Sequence, residues 1–299
     1  MISLNDEKGP LRRPFFAPPW NLGRLILSPT ERPLVMGILN LTPDSFFDGG
    51  QYNRVDAAVE QARRMIAAGV DILDLGAEST RPGAQSIGAE DEMQRLLPAL
   101  EAIRSESNIP ITADTTRPIT ARAALAKGAD AVNDISGGSD PEMLKLVATA
   151  GCGLILMHIQ GTPATMQDQP VYENVVDEVS QWLEGRCAAA GQAGIAADRL
   201  MVDPGIGFGK KLKHNLALLG DLKKVGNGKP LLLGASRKSF ISHLTEASVE
   251  DRLPGSLAAL AAAYFGGASV VRVHDVEESI QFLDVLGSIY AEAASKKKA

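Results

Sequence analysis

Several polar and charged side chains of this sequence stand at the ends of short apolar runs, where they could bind a ligand or take part in a reaction. Eight such runs occur between residues 34 and 275. They end, in order, at Asn40, at Asp74 and Glu78, at Asp114, at Asn133 and Asp134, at His158, at Asp203, at Arg237 and Lys238, and at Arg272 and His274. Because a buried parallel strand is a nearly continuous apolar run, a polar group at its carboxyl end is not needed to fill the core.

Oxygen acceptors follow the third, fourth and sixth runs, at Asp114, Asn133 and Asp203. If they converge, the three could hold a magnesium ion or a heterocycle that presents several N–H donors. Taken singly, each could instead cap a helix. Asn40, uncharged at the end of the first run, could be a hydrogen-bonded structural residue or an oxygen ligand of Mg²⁺.

Cationic side chains follow the seventh and eighth runs. They are Arg237, Lys238 and Arg272. Residues 272 and 274 point the same way along a strand, so His274 joins this group. We expect the cations to repel one another unless an anion lies among them, which predicts a polyanionic ligand or leaving group. Neutralisation by Asp275 or Asp251 is the alternative.

The connections after the first two runs carry further candidates. GILNLTPDSFFDGG is rich in loop-forming residues, and its Phe46 and Phe47 could pack on the protein rim or belong to a lid that closes on a flat ligand. In GAESTRPGAQSIG, Arg81 could bind phosphate or carboxylate through two hydrogen bonds. A salt bridge from Arg81 to Glu78 or Glu90 is the simpler alternative.

The connections after the fifth and sixth runs contain no standard catalytic signature. DPGIGFGK (203–210) matches neither GxGxxG nor the P-loop, so its glycines are expected to allow a tight turn and close backbone approach, with Phe208 projecting towards the site. Met157 could pack on a flat ring, whereas His158 is more simply a core histidine. Hydrolase and metalloprotease motifs are absent from the sequence.

The elements that must position these groups alternate between strand and helix. Helices are predicted at 54–68, 89–106, 119–127, 141–150, 173–191, 213–225, 256–266 and 277–294. Strict alternation implies a parallel sheet. Eight units, without GxGxxG after the first strand, favour a single α/β domain with the (β/α)8 TIM barrel fold over a doubly wound sheet. We place the barrel at 34–294, after a Pro-rich extended N-terminal arm at 1–33 and before a solvated tail at 295–299.

The composition excludes several classes of protein. The chain has 299 residues, 45% of them hydrophobic, and a net charge of −6, which argues against nucleic acid as a partner. Two cysteines are too few for a disulfide framework. With no signal peptide and no membrane span in the sequence, we expect a cytoplasmic protein that does not bind membranes.

The ordered set of motifs is specific enough to indicate a family. GILNLTPDSFFDGG, DLGAESTRPGA, ADTTRP, VNDISGG, LMHIQGTPATMQ, DPGIGFGK, GASRKSF and RVHD, spread over roughly 34–276, closely resemble the dihydropteroate synthases of folate biosynthesis. The resemblance implies a (β/α)8 enzyme, usually a homodimer. Such an enzyme joins 6-hydroxymethyl-7,8-dihydropterin diphosphate to p-aminobenzoate with Mg²⁺ assistance, giving 7,8-dihydropteroate and pyrophosphate.

The resemblance also implies roles for individual residues. The pterin would be bound by Asp114, Asn133, Asp203 and Lys238, with Met157 packing on its ring and Asp74 in the polar shell beneath. The diphosphate would be held by Asn40 through the metal ion, and by Arg272 and His274. Mobile loops would contribute Asp44, Phe46, Thr80 and Arg81. The p-aminobenzoate site would comprise Phe208, Pro82, Lys238 and Ser239. Of these, the residues expected to be catalytic are Asn40, Asp44, Arg81, Lys238, Arg272 and His274.

Two other functions would suit part of this pattern. A pterin-binding methyltransferase that uses methyltetrahydrofolate and a corrinoid protein would share the pterin-facing residues, but it does not need the cationic residues or the STRPG loop. A catalytically silent paralogue that only binds a pterin should lack some of the loop or anion-binding residues. Small departures from the family pattern, such as Arg117 where lysine is common, remove none of the assigned polar groups.

Overall fold

Eight parallel strands form a barrel in the computed structural model, which describes residues 17–42, 51–81, 83–84 and 86–295. The strands are β3 (Leu34–Asn40), β4 (Ile72–Gly76), β5 (Ile111–Asp114), β6 (Ala131–Asp134), β7 (Gly153–Met157), β8 (Leu200–Asp203), β9 (Leu232–Leu233) and β10 (Val270–Val273). Strands that are neighbours in sequence pair from β3 to β8 and from β9 to β10, and β10 pairs with β3. A parallel bridge between Val202 and Leu231 joins β8 to β9. The predicted TIM barrel is confirmed.

Helices follow the strands and surround them. They are α1 (Gln51–Ala67), α2 (Ala89–Glu106), α3 (Pro118–Ala126), α4 (Pro141–Ala150), α5 (Val175–Gln192), α6 (Leu212–Gly220), α7 (Leu222–Gly226), α8 (Ser239–Thr245), α9 (Leu253–Gly266) and α10 (Val276–Ser295). The helix predicted at 213–225 is divided, because Asp221 leaves the helical region with φ −138° and ψ 48°. None of the helices described is long and apolar enough to span a membrane.

The lower half of the barrel interior is apolar. Side chains from the amino-terminal halves of the strands fill it, namely Met36, Ile72, Ala131, Ile155, Met201, Leu232 and Val270. A second and larger core lies between the barrel and its helices. Because side chains alternate along a strand, the residues two positions further on return to the same interior. The polar residues named above therefore lie on top of an apolar floor.

An N-terminal hairpin closes the bottom of the barrel. It consists of β1 (Trp20–Asn21) paired antiparallel with β2 (Ile26–Leu27). Trp20 is 1% exposed and belongs to the interior core, and its Nε1 donates a hydrogen bond to the Arg199 carbonyl at 2.9 Å. Gly153 makes room for it, since a Cβ there would lie 2.8 Å from the Trp20 ring. The segment predicted as an extended arm thus includes a folded plug.

Candidate active site

Arg272 is the centre of a buried polar network inside the barrel. Its Nε donates to Asp74 Oδ2 at 2.6 Å, and its Nη2 donates to Asp114 Oδ2 at 2.9 Å. Asn133 Nδ2 donates to the same Asp74 oxygen at 3.2 Å, and the Thr112 hydroxyl donates to the other. The predicted convergence of strand-end residues is therefore present on this side of the barrel. Thr112 was missed, although it lies two residues before Asp114 and so faces the same way.

Two carboxyl groups in this part of the barrel, those of Asp114 and Asp203, have raised pKa values. Burial raises the pKa of Asp114 to about 7, the charge of Asp74 adds to this, and Arg272 opposes it. Burial also raises the pKa of Asp203 to about 6. The hydrogen bond that the Gly205 N–H donates to Asp203 Oδ1 at 2.7 Å acts in the other direction and lowers this pKa. Such carboxylates gain stability from any ligand that offers them N–H donors.

Lys238 and Phe208 form a further wall of the site, within reach of the charges of Asp203 and Asp114. Lys238 Nζ lies 3.9 Å from the centroid of the Phe208 ring, within the range of a cation–π contact. Burial lowers the pKa of Lys238 to about 8, and the nearby Asp203 carboxylate opposes this shift. The wall therefore offers an ammonium group and an aromatic face side by side, with exposed Ser239 next in sequence.

The glycines of DPGIGFGK have the role predicted for them. Gly205 has φ +64° and Gly209 has φ +62°, and a Cβ at either would clash with the backbone of the preceding connection. At Gly207, with φ +84°, a Cβ would press on the Lys238 side chain at 3.2 Å. Close backbone approach and a tight turn are confirmed, and they bring Phe208 to Lys238.

Carboxylates already neutralise two of the three clustered cations. Arg237 has φ +55°, and its Nε donates to Asp275 Oδ2 at 3.0 Å. Arg272 is paired with Asp74 and Asp114. The argument that these cations repel one another unless an anion is present is therefore wrong, and the alternative of neutralisation by Asp275 is correct for Arg237. Binding of a diphosphate by Arg272 and His274 stays a prediction.

His274 stands beside this network as a neutral imidazole. Burial, followed by the charges of Arg272 and Arg237, lowers its pKa to about 4. Its Nδ1 lies 3.1 Å from Ser236 Oγ, which also accepts the His274 backbone N–H at 3.2 Å. At neutral pH the ring can therefore exchange hydrogen bonds with a ligand without adding positive charge.

The connection after β4 is held by an arginine from the next connection. Arg117 forms a salt bridge with Glu78 and another with Glu92 Oε2 at 3.1 Å, and its Nη2 donates to the Ile87 carbonyl at 2.6 Å. Glu78 thus pairs with Arg117, and not with Arg81 as one alternative supposed. Arg81 is exposed and Thr80 is half-buried. Predictions for Asp44, Phe46, Phe47 and Pro82 concern residues outside the described part of the chain.

Met157 and Asn40 complete the predicted set. Met157 is buried at the end of β7, opposite Asp203 of β8 in the strand register, where it can form the apolar face of a ring site. Asn40 is half-buried at the end of β3. Among the described residues, no three His, Cys, Asp or Glu side chains are grouped to hold a metal ion. Mg²⁺ commonly uses one or two protein oxygens together with substrate phosphates, so the Asn40 amide oxygen fits that role.

A closed (β/α)8 barrel with hydrogen-bonding acceptors, an ammonium group and an aromatic wall at its carboxyl end is suited to a flat, N–H-rich heterocycle. Comparison with known proteins agrees with this class. Residues 36–274 match the family described as pterin binding enzyme, and the chain belongs to that family.

Within the family, the chain groups with the dihydropteroate synthases. It is 44% identical to the Escherichia coli (strain K12) dihydropteroate synthase over 268 residues, which cover 89% of this chain and 95% of the relative. The Xanthomonas albilineans dihydropteroate synthase with 4-aminobenzoic acid superposes with a TM-score of 0.85 at 41% identity, covering 92% of this chain and 99% of that one. The Burkholderia cenocepacia enzyme complexed with 7,8-dihydropteroate gives a TM-score of 0.85 at 42% identity, covering 94% and 99%. The family resemblance predicted from the motifs is confirmed.

Proposed function

We infer that the protein condenses 6-hydroxymethyl-7,8-dihydropterin diphosphate with p-aminobenzoate, forming 7,8-dihydropteroate and pyrophosphate. The observation that carries this function is the polar pocket above the apolar floor, where buried carboxylates face the Phe208–Lys238 wall. The relatives named above are called dihydropteroate synthases. The Xanthomonas albilineans structure contains 4-aminobenzoic acid, and the Burkholderia cenocepacia structure contains 7,8-dihydropteroate.

The pocket accounts for binding of the pterin. Ionised Asp114 and Asp203 would accept hydrogen bonds from the amino-pyrimidinone edge, which is rich in N–H donors. Asn133 can donate and accept, and Lys238 would donate to a ring acceptor. Met157 would pack on one face of the ring. Asp74 would act from beneath, since its contacts with Arg272 and Asn133 hold both of them in place.

The reaction needs stabilisation of a departing pyrophosphate more than it needs a base. Arg272, His274 and Arg81 would bind the leaving group and stabilise its growing charge. Mg²⁺, held by Asn40 and the diphosphate, would add to this neutralisation when bound. The C–O bond breaks and leaves positive charge on the exocyclic methylene, which the pterin ring delocalises. The amine of p-aminobenzoate then forms the C–N bond and loses a proton to solvent.

The test is release of pyrophosphate that depends on p-aminobenzoate. Purified protein with pterin diphosphate and Mg²⁺ should release pyrophosphate and form dihydropteroate only when p-aminobenzoate is added. Sulfonamides, which mimic p-aminobenzoate, should compete with it. Absence of turnover with pterin binding intact would instead favour a protein that only binds the pterin.

We further propose that the chain acts as a homodimer in the cytoplasm. Val285 and Ile289 are exposed one turn apart on α10, an apolar pair that a second copy could cover. Cys152 and Cys187 are buried free thiols, as suits a reducing compartment. Sedimentation of the protein should give the mass of two chains, and a double substitution of Val285 and Ile289 by lysine should shift it towards one.

A further inference from the structure

Lys210 has a buried side-chain amine that the proposed reaction does not use. The residue is 3% exposed, and burial lowers the pKa of its side chain to about 7, a shift that the nearby Asp203 carboxylate opposes. Nζ donates to the Phe208 carbonyl at 2.8 Å and to the His158 carbonyl at 3.3 Å, and it lies 2.9 Å from His158 Nδ1. When protonated, the amine has three N–H donors, and these three acceptors match them.

The acceptors belong to two different connections. His158 follows β7, whereas Phe208 lies in the connection after β8. The two connections touch backbone to backbone, because Gly205 and Gly209 carry no Cβ that would clash with His158 and Gln160. Such close contact buries the His158 side chain and both carbonyl groups. These acceptors would lack hydrogen-bond partners unless a donor reached them. Lys210 is that donor, so it joins the two connections at one point.

His158 is suited to receive this contact as a neutral ring. Burial and the charge of Lys210 lower its pKa to about 3, which leaves Nδ1 free to accept a hydrogen bond at neutral pH. The ring is held from its other side by Trp182, in a T-shaped contact with centroids 5.0 Å apart. His158 is therefore a fixed anchor for Lys210, which in turn donates to the Phe208 carbonyl.

We propose that Lys210 is a positioning residue for the p-aminobenzoate site, holding the Phe208 carbonyl so that the Phe208 ring stays against Lys238. The proposal rests on the proposed function, because that function assigns Phe208 and Lys238 to the arylamine. Asp203 ends β8 and accepts its hydrogen bond from the Gly205 N–H, whereas Lys210 acts on it only through its charge. Loss of Lys210 should therefore disturb the arylamine site more than the pterin site.

The first experiment compares Lys210→Met with Lys213→Met. Both remove one side-chain amine, but Lys213 is exposed on α6 and serves as the matched control. Lys210→Met should raise the KM for p-aminobenzoate about tenfold, while the Kd of the bare pterin alcohol stays within about twofold of wild type. Lys213→Met should leave both unchanged. A lower Tm and less active protein with an unchanged KM would mean that Lys210 only stabilises the fold.

A double-mutant cycle identifies Phe208 as the intermediary. If Lys210 acts through the ring, Lys210→Met should raise KM little further in a Phe208→Ala background. Independent, additive losses would overturn the proposal. If Lys210→Met fails to fold, Lys210→Gln can be used, because its amide keeps N–H donors for the Phe208 carbonyl. Its KM for p-aminobenzoate should rise less than the roughly tenfold expected for Lys210→Met. No turnover by the wild type would refute the proposed function, whereas turnover with an unchanged KM in Lys210→Met and Lys210→Gln would refute this inference alone.

Discussion

Arg272 bridges Asp74 and Asp114, with Nε 2.6 Å from one carboxylate and Nη2 2.9 Å from the other. The Asp74 side chain is wholly buried, whereas that of Asp114 keeps some exposure towards the pocket. One cation therefore compensates two carboxylates, and the excess negative charge lies on the side where a ligand would bind. The excess negative charge favours a ligand edge that is rich in N–H donors over an anion bound at the same position in the barrel.

Removal of the bridging guanidinium should destabilise the protein in a pH-dependent way. Arg272→Met leaves buried carboxylates uncompensated, and we expect the free energy of unfolding to fall by about 3 kcal/mol at pH 8. The cost should be smaller at pH 5, because Asp114, whose pKa is already raised to about 7, is then protonated. Urea unfolding at the two pH values measures this. Arg122→Met, at an exposed site on α3, is the control, and an equal cost at both pH values would contradict the bridge.

The same variant tests the predicted contact with the diphosphate. If Arg272 also holds the leaving group, Arg272→Met should weaken binding of pterin diphosphate far more than binding of the bare pterin alcohol. Calorimetric titration of both ligands gives the comparison. Equal losses for the two ligands would restrict Arg272 to its contacts with Asp74 and Asp114.

Binding of the pterin should release protons near neutral pH. The ionised form of Asp114 is the one that accepts N–H donors, so binding should lower its raised pKa. Affinity for the pterin alcohol should accordingly fall as pH drops below about 7. The other charged groups that act on Asp114 include Asp74, Arg272, Glu92, Asp134 and Lys238.

Calorimetry in buffers with different ionisation enthalpies counts these protons. Release should be greatest just below pH 7, between the pKa values of the free and bound forms, and small at pH 9, and Asp114→Asn should remove most of it. Asp203, with a pKa of about 6, should contribute a smaller release at lower pH. Proton uptake on binding at pH 7 would show that the neutral carboxyl is the binding form.

Much of this site could be predicted from strand periodicity. Asp114, Asn133 and Asp203 end buried strands, and barrel topology brings such ends together. The ion pairs could not be predicted in the same way. Arg237 turns to Asp275 because its own φ of +55° lies in the left-handed region, and nothing in the SRKS motif indicates that conformation.

Long-range contacts account for most of the remaining differences. Trp20 packs beneath strands that are far away in sequence, so the N-terminal segment had no local pattern that marked it as a plug. Lys210 looked like the end of a glycine-rich loop, and its partners His158 and Phe208 are only brought together by folding. Hydrophobic periodicity does not report contacts of this kind.

The N-terminal plug should make a large contribution to stability. Trp20→Ala removes a fully buried ring from the barrel floor, and we expect a loss of about 3–5 kcal/mol in the free energy of unfolding. Ile26→Ala in the same hairpin is the control, since Ile26 is 61% exposed and should cost less than about 0.5 kcal/mol. Urea denaturation measures both. Similar values for the two variants would mean that the hairpin does not support the barrel.

Asn40 should determine how much Mg²⁺ the reaction requires. Asn40→Leu keeps the size of the side chain at the end of β3 but removes the amide oxygen that would bind the metal ion. Because a metal held by a single protein oxygen depends strongly on it, the Mg²⁺ concentration for half-maximal turnover should rise about tenfold or more.

Binding of the bare pterin alcohol needs no metal, so its Kd without Mg²⁺ should be the same in wild type and Asn40→Leu. This second measurement separates loss of the metal ligand from damage to the pocket. Chelation by EDTA should abolish turnover of the wild type and leave that Kd unchanged. An unaltered Mg²⁺ requirement in Asn40→Leu would assign Asn40 to the structure of the barrel mouth and leave the metal to the substrate phosphates and other oxygens.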